Sequence, residues 1–357
     1  MNAMAEPAPL QVRIERLPSA PAATARHLEW DAYVTAHEHG SFFHLSGWQR
    51  AIEQAFGHRM IMLYARVDEQ IVGVLPLGYI RSLIFGKSLI SNPFCVLGGP
   101  LADTVQVRQQ LEAEARRLAE QLEVGYIEYR SREPIDANRP TKDLYVSFRK
   151  TISDDHDENL KSIPRKQRAV VRKGTKAGLV SRQDRNAAVL WSIYSESVRN
   201  LGTPVFPRRW FETLLNVFEG QVDIVTVTTA EGEPVASTLN FYFRDEVLPY
   251  YGGGRASARH LYANDFLYWE VMRRAVDAGY RVFDYGRSKQ GTGSYRFKKH
   301  WGFEPEPLYY EYDLVRADEM PNISPVNPKF EKLVKIWQRL PLPVSRAVGP
   351  WIARDLA

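Results

Sequence analysis

The order of secondary-structure signals runs twice along this chain, and that repeat constrains the fold more than any single motif. In the first half, helical periodicity spans Asp31 to Phe56, carried by Trp30, Tyr33 and Val34 and then by Trp48, Ile52 and Phe56. Ser46 stands where an N-cap would start the second of these helices. Met60–Arg66, Ile71–Tyr79 and Ser88–Val96 read as strands, with Asp68-Glu69 at a hairpin turn. After the breaker Leu97-Gly98-Gly99-Pro100, Leu111, Ala115, Leu118 and Leu122 form one stripe of a helix over Val105–Glu123, and Tyr126–Arg130 is a short strand. The second half follows the same course. Ala187–Leu201 and Arg208–Phe218 read as helices, and Val222–Thr229, Pro234–Phe243 and Val247–Tyr251 as strands. Gly252-Gly253-Gly254 then precedes a helix, Asn264–Ala278, and a strand, Arg281–Tyr285. The expectation is an α/β (α+β) chain with mixed sheets in two similar domains, which suits a length of 357 residues.

The boundaries follow from composition. Residues 1–24, rich in Ala and Pro, read as a flexible arm; 25–150 form the first domain and 181–316 the second. Between them, 151–180 holds an acidic cluster and then, over Lys161 to Lys176, seven basic residues and no acid. Residues 317–357 read as a Pro-rich linker and an amphipathic tail, with Phe330, Val334 and Trp337 opposite Lys329, Lys332, Lys335 and Arg339. That tail suits either a membrane surface or the second domain's apolar face.

A single cysteine, Cys95, excludes an internal disulfide and any multi-cysteine metal site. His37, His39 and His44 lack the helical spacing of a metal site, so none is expected. No apolar run approaches membrane-spanning length, and Met1 to Leu10 does not read as a secretory signal, so a cytoplasmic protein, or one at the inner face of the membrane, is expected. The run Arg81 to Ser88 ends like a phosphate loop but has Arg81 in place of the first Gly. Gly286-Arg287-Ser288-Lys289-Gln290 lacks the closing Gly of a nucleophile elbow. Net charge, +5, mildly favours anionic partners.

What remains is a strand running into a glycine loop and a short basic helix, from Val282 through Gly286, Gly291 and Gly293 to Phe303. Glycines let backbone N–H groups approach an anion, and Arg287, Lys289, Arg296, Lys298 and Lys299 add positive charge. Ser288 and Tyr295 belong to the same loop and helix. A tight crossover with a solvated basic helix would look the same. Gly253, Gly254 and Arg255 could hold a pyrophosphate or carbonyl at a strand end, or form a turn. Arg165, Lys166 and Arg168 could contact phosphates, or face solvent on a linker helix.

Four stretches carry a resemblance. Ser41-Phe42-Phe43-His44 through Trp48, Ser91-Asn92-Pro93-Phe94 with Gly98-Gly99-Pro100, Ile163 through Arg168 with Arg172-Lys173, and above all Phe283-Asp284-Tyr285-Gly286-Arg287-Ser288 through Phe303 resemble the FemAB-like proteins. These are relatives of the peptidoglycan-bridge aminoacyl transferases and are built of tandem GNAT-type (acyl-CoA N-acyltransferase-type) domains. The sequence is most similar to the branch associated with PEP-CTERM/exosortase and exopolysaccharide loci. The resemblance implies transfer of an acyl or aminoacyl group to an amine or hydroxyl of a cell-envelope, exopolysaccharide or peptidoglycan precursor, without a covalent enzyme intermediate. It implies acyl-CoA, acyl carrier protein or aminoacyl-tRNA as donor, no tightly bound cofactor, and a small-molecule or lipid-linked glycan acceptor. It matches Phe297-Lys298 to a Phe-Lys pair at the reaction centre of bridge-forming members. Lys298 then suits the oxyanion or the donor phosphates, and Asp284 suits substrate orientation or proton acceptance, with Tyr285 beside it. The helical arm that some members insert between domains is not visible. A second reading is a degenerate scaffold that recruits a polysaccharide or protein-sorting component to the membrane.

Overall fold

In the computed structural model the described residues are 12–83, 85–321 and 328–356. The first half runs β1 (Arg13–Leu17), α1 (Ala25–Ala36), α2 (Gly47–Phe56), β2 (Arg59–Val67), β3 (Gln70–Ser82), β4 (Gly86–Ser91), β5 (Leu101–Ala102), α3 (Val105–Leu122), β6 (Tyr126–Ser131) and β7 (Thr141–Lys142). Next come β8 (Tyr145–Thr151), α4 (His156–Ser162) and α5 (Arg165–Lys176). The second half repeats the order as β9 (Val180–Asp184), α6 (Ala187–Leu201), α7 (Arg208–Val217), β10 (Val222–Thr228), β11 (Pro234–Phe243), β12 (Glu246–Gly254), α8 (Ala263–Asp277) and β13 (Val282–Asp284). It continues with β14 (Ser288–Lys289), α9 (Gly293–His300), β15 (Pro305–Pro307) and β16 (Tyr309–Leu314), and α10 (Pro328–Arg339) and α11 (Leu342–Ala353) follow.

Two mixed sheets result, ordered β1-β2-β3-β4-β6-β16-β7 and β14-β8-β13-β12-β11-β10-β9, with β5 beside β3 and β15 beside β8. The halves trade a strand. β8 leaves the first half and pairs antiparallel with β13, while β16 leaves the second half and pairs antiparallel with β6. The sheets therefore do not coincide with the ranges 25–150 and 181–316: Tyr145–Thr151 and Tyr309–Leu314 each lie in the sheet of the other half. At the N-terminus, Arg13–Leu17, expected in a flexible arm, is instead an edge strand on β2.

Burial explains why the halves stay together. Phe42 of the first half stacks on Phe241 of the second at a ring-centroid distance of 4.3 Å, and Trp48 meets Trp210 edge to face at 5.3 Å. All four are essentially inaccessible and belong to one apolar core that crosses the boundary. Each sheet has a further core on its outer face, against α3 in the first half and α8 in the second.

Some local expectations change. The two helices read over 31–56 are α1 and α2, and Ser46 stands at the N-cap of the second but does not cap with its side chain; its hydroxyl donates to Asp31 at 2.9 Å instead. The strand expected over Ser88–Val96 ends at Ser91. Gly252-Gly253-Gly254, read as a strand end or a turn, is the end of β12, paired with Ala236–Thr238 of β11. The tail docks. Val334 sits on Gly202, where a Cβ would meet it at 2.4 Å, and Trp337 Nε1 donates to the Thr203 carbonyl at 3.2 Å. The side chains of Lys329 and Phe330 lie outside those described.

Candidate active site

The parallel strands β12 and β13 pair only at their starts, Glu246 with Val282 and Val247 with Phe283. Beyond that they diverge. Pro249 has no N–H to give a ladder, and the β11–β12 register shifts between Leu239 and Asn240. On the other side β13 stops at Asp284, whose carboxylate accepts the Gly286 N–H at 2.6 Å, and Gly286 turns with φ +66°. The opening between Tyr250-Tyr251-Gly252 and Tyr285-Gly286-Arg287 leads into a cavity of about 570 Å³ between the two halves. Its far wall comes from the first sheet, including Glu128 and Arg130 of β6 and Tyr310 and Tyr312 of the exchanged β16.

The corresponding strands of the first half, β4 and β6, pair over four positions, from Ser88 with Tyr126 to Ser91 with Tyr129. The space beyond them is filled by the chain itself. Gly98 and Gly99 N–H groups donate to the Arg130 carbonyl at 3.1 and 2.8 Å, and the Arg130 guanidinium donates to the Asn92 and Cys95 carbonyls at 3.1 and 2.8 Å. A Cβ on Gly98 would lie 2.3 Å from the Asn92 nitrogen, so this plug requires glycine there. In the first half this segment takes up the space between the strands, and a smaller cavity of about 290 Å³ lies beside it, lined by His44, Gly99, Arg130 and Arg132.

Charge in the larger cavity is lopsided. Among the described residues its lining carries Arg130, Lys142, Arg287, Lys289 and Lys298 against Glu128 and Asp355. Glu128 is committed: Arg130 donates to it at 2.7 Å and Tyr312 at 2.9 Å. Burial opposes its charge, yet Arg130 and Tyr312 hold its carboxyl below the usual range. The Arg287 guanidinium lies over the Tyr145 ring at 4.6 Å and donates to the Tyr310 hydroxyl at 3.1 Å. It is surrounded by protein, but its surface is open to the cavity. Lys289 lies 5.8 Å from the Tyr145 ring, and burial, with Arg287 and Lys142 nearby, lowers its pKa to about 8.

Lys298 has a pKa lower than that of Lys289. Thr292 caps α9 by accepting the Tyr295 N–H, and α9 carries Lys298 inward, where it is 8% exposed. Its Nζ donates to the carbonyls of Gly286 at 2.8 Å and Arg287 at 3.1 Å. Burial pulls its pKa down to about 7, opposed by Asp284 and assisted by Arg287. With two N–H groups held on carbonyls, the neutral amine keeps its lone pair for another proton. Such a group accepts and returns protons near neutral pH.

The sequence-predicted residues separate into three places. Lys298, Tyr285, Arg287 and Lys289 line the cavity, and Gly286 connects them. The Tyr285 hydroxyl is buried without a partner. Phe297, Asp284, Ser288 and Tyr295 stand behind that wall. Phe297 packs on Tyr268 at 5.6 Å, and Tyr295 on Phe148 at 5.4 Å. Asp284 accepts from Ser147 at 3.1 Å and Arg132 at 3.2 Å as well as from Gly286, so its oxygens are engaged in holding the strand end. Ser288 pairs with Val146 of β8. Gly291 and Gly293 are exposed, with open space around them.

The third group lies away from the cavity lining. Gly253 and Gly254 are ladder residues paired with Ser237 and Ala236 and packed under Ser197 and Asn264, and Arg255 is tied to Glu196 at 3.1 Å and the Pro234 carbonyl at 3.0 Å. Arg165 and Lys166 face solvent on α5, and Arg168 donates to the Lys161 and Ile163 carbonyls at 2.7 and 3.0 Å. Sequence reasoning missed Tyr250, Tyr251, Lys142, Tyr145, Glu128, Arg130, Tyr310 and Tyr312, all on the lining. The i,i+2 pairs Glu128/Arg130 and Tyr310/Tyr312 carried a signal, one face of a strand, but only the sheet topology shows that these faces meet.

Two units of the same β-α-α-β-β-β-α-β order, with parallel strands that splay in the second, define a tandem GNAT-like fold. Residues 159–299 match the family model described as Acetyltransferase (GNAT) domain, which covers the half with the open splay. Among solved structures the chain is similar to FemX, at TM-score 0.66 and 15% identity over 83% of this chain and 96% of that one. It is also similar to a tandem GNAT protein from the clavulanic acid biosynthesis pathway, at TM-score 0.55 and 12% identity over 87% and 100% of the two chains. A third is the C-terminal domain of a putative lysylphosphatidylglycerol synthetase from Agrobacterium fabrum, at TM-score 0.53 and 14% identity over 82% and 92%. At these identities the likeness is one of fold. No curated protein matches the chain.

Proposed function

We propose that this protein is an acyl or aminoacyl transferase whose donor enters between β12 and β13 and whose acceptor lies in the inter-domain cavity. The observation that carries the reading is Lys298, a buried amine with a pKa near 7 on the wall of the cavity into which the splayed strands open. The match of residues 159–299 to the GNAT domain and the fold shared with FemX support it.

The chemistry requires no covalent enzyme intermediate. The acceptor's amine or hydroxyl attacks the donor carbonyl, forming a C–N or C–O bond. The tetrahedral intermediate then expels the donor's thiolate or alkoxide. Lys298 takes the proton released by the nucleophile and returns it to the leaving group. Arg287 and Lys289 favour an acceptor that carries negative charge, such as a phosphorylated cell-envelope or exopolysaccharide precursor. The donor is an acyl-CoA, an acyl carrier protein or an aminoacyl-tRNA.

The test is transfer of labelled acyl groups from each donor class to amine and hydroxyl acceptors, with native protein and Lys298→Met side by side. Transfer by the native protein that falls at least about a hundredfold in the variant supports the reading. Equal transfer by both removes Lys298 from the mechanism. No binding of any donor class favours a scaffold without catalysis.

A further inference from the structure

Among the described residues the two most exposed large apolar side chains, Leu83 and Trp351, each lie within four residues of the lining of one cavity. Lining residues that reach solvent include Gly86 beside half-buried Phe85, Thr203 with half-buried Asp355 and Leu356, and Arg287 and Ser294. Leu83, at the tip of the β3–β4 hairpin two residues before Phe85, is fully exposed. α11 ends two residues before Asp355. Its inward face, Ser345, Gly349 and Ala353, is buried, and Gly349 lets the helix approach Val205, where a Cβ would lie 3.0 Å from the backbone nitrogen. Its outward face is Val344, Ala347, Val348 and Trp351. Trp351 is 79% exposed, and no polar side chain interrupts those four positions. A solvent-facing helix stripe is ordinarily polar.

We infer that the cavity mouth docks on an anionic lipid bilayer, with Leu83 and with Val344, Val348 and Trp351 inserted at the headgroup level. Charge selects the bilayer over a second copy of this basic chain. Arg81 beside Leu83, Arg354 beside Trp351, and Lys332 and Arg339 on α10 are exposed, against Asp355 at the mouth and Asp318 and Glu319 on the neighbouring segment. A few apolar side chains next to bases are the composition that holds a protein in the interface plane. Among the described residues no helix is long and apolar enough to cross a membrane, so contact is with the surface. A mouth seated there opens toward acceptors whose anionic headgroup lies at the interface.

The experiment is sedimentation of the full chain with vesicles of phosphatidylcholine alone and of phosphatidylcholine mixed with phosphatidylglycerol. It reads no turnover, so its failure leaves acyl transfer in solution untouched. Binding to the anionic vesicles is expected, with weakening of roughly tenfold in Leu83→Ser/Trp351→Ser and a smaller loss in Trp351→Ala alone, at unchanged circular dichroism and melting temperature. Equal binding to neutral vesicles overturns the anionic-lipid assignment. Absence of vesicle binding overturns the inference, and self-association abolished by the same substitutions would then identify a second copy as the occupant of this face.

Discussion

The Lys298 ammonium and the Gly286 carbonyl oxygen stand 2.8 Å apart, and this contact fixes a half-ionised amine at the turn where β13 leaves the second sheet. Replacing Lys298 by Met keeps the length of the side chain and removes the proton carrier. Since the neutral amine is the competent form, native activity rises as pH increases through about 7, and that limb is absent from the residual activity of the variant. A pH–rate profile of both proteins checks this.

The same group makes a stability prediction of definite sign. The unfolded lysine titrates near 10.5 and the folded one near 7, so between these values the unfolded chain binds more protons. Native stability therefore climbs as pH rises from about 7 to about 10.5, and below that window the buried charge is a cost. Lys298→Met is expected to be more stable than the native protein at neutral pH, by roughly 2 kcal/mol once the two lost hydrogen bonds are set against the relieved desolvation. Denaturant titration at neutral pH and near pH 10 checks it, with the gain shrinking at the higher pH.

Arg287 is held between the rings of Tyr145 and Tyr310 and faces the cavity, which suits binding of an anionic acceptor in ground and transition states alike. Arg287→Ala is expected to raise the acceptor KM about ten- to a hundredfold with a much smaller change in kcat, a charge-assisted hydrogen bond being worth roughly 1.5–3 kcal/mol. Arg287→Lys restores little, since an ammonium does not reproduce the planar stacking. Steady-state kinetics with varied acceptor checks both.

Acid sensitivity has a named source in the first half. His44 is buried between Ser41, whose hydroxyl lies 2.7 Å from Nδ1, and the Gly99 carbonyl, 2.9 Å from Nε2. Burial lowers its pKa from 6.5 to about 4. The unfolded chain gains the proton first, so stability falls as pH drops from about 6.5 toward 4, by roughly 3 kcal/mol in all. In His44→Gln this part of the slope is absent. Urea unfolding across that range, native against variant, is the measurement.

The exchanged strands predict cooperative unfolding. The first sheet lacks β16 unless the second half is present, and the second lacks β8 without the first. A single thermal transition is expected, and fragments cut between β8 and α4, which leave β8 and β16 each away from its own sheet, are not expected to fold separately. Trp48→Ala, in the shared core, should cost about 3–5 kcal/mol and lower the one transition as a whole. Calorimetry resolving two independent transitions would contradict this.

The duplicated order was legible because its helices and strands carry strong local periodicity. The helix expected over Ala187–Leu201 and the strand over Pro234–Phe243 coincide with α6 and β11. The strand exchange was not legible. Tyr145–Thr151 alternates weakly, and nothing local says that its partner is β13 rather than β6, a choice made by long-range packing. Of the site, the basic glycine loop announced Lys298, Arg287 and Lys289, since charge in a glycine-rich turn is visible in one dimension. Its tyrosine wall is assembled from β6, β8, β12 and β16, whose neighbourhood exists only in the folded sheets. Gly253, Gly254 and Arg255 misled because a glycine triplet at a strand end reads as an anion holder, whereas here it leaves room for Ser197 and Asn264.

The most direct test of the account is a crystal structure with a non-hydrolysable analogue of whichever donor supports transfer. The account predicts the acyl carbonyl between β12 and β13, within hydrogen-bonding reach of Lys298 directly or through one water. A donor seated in the first half, or one whose carbonyl is walled off from Lys298, would contradict it.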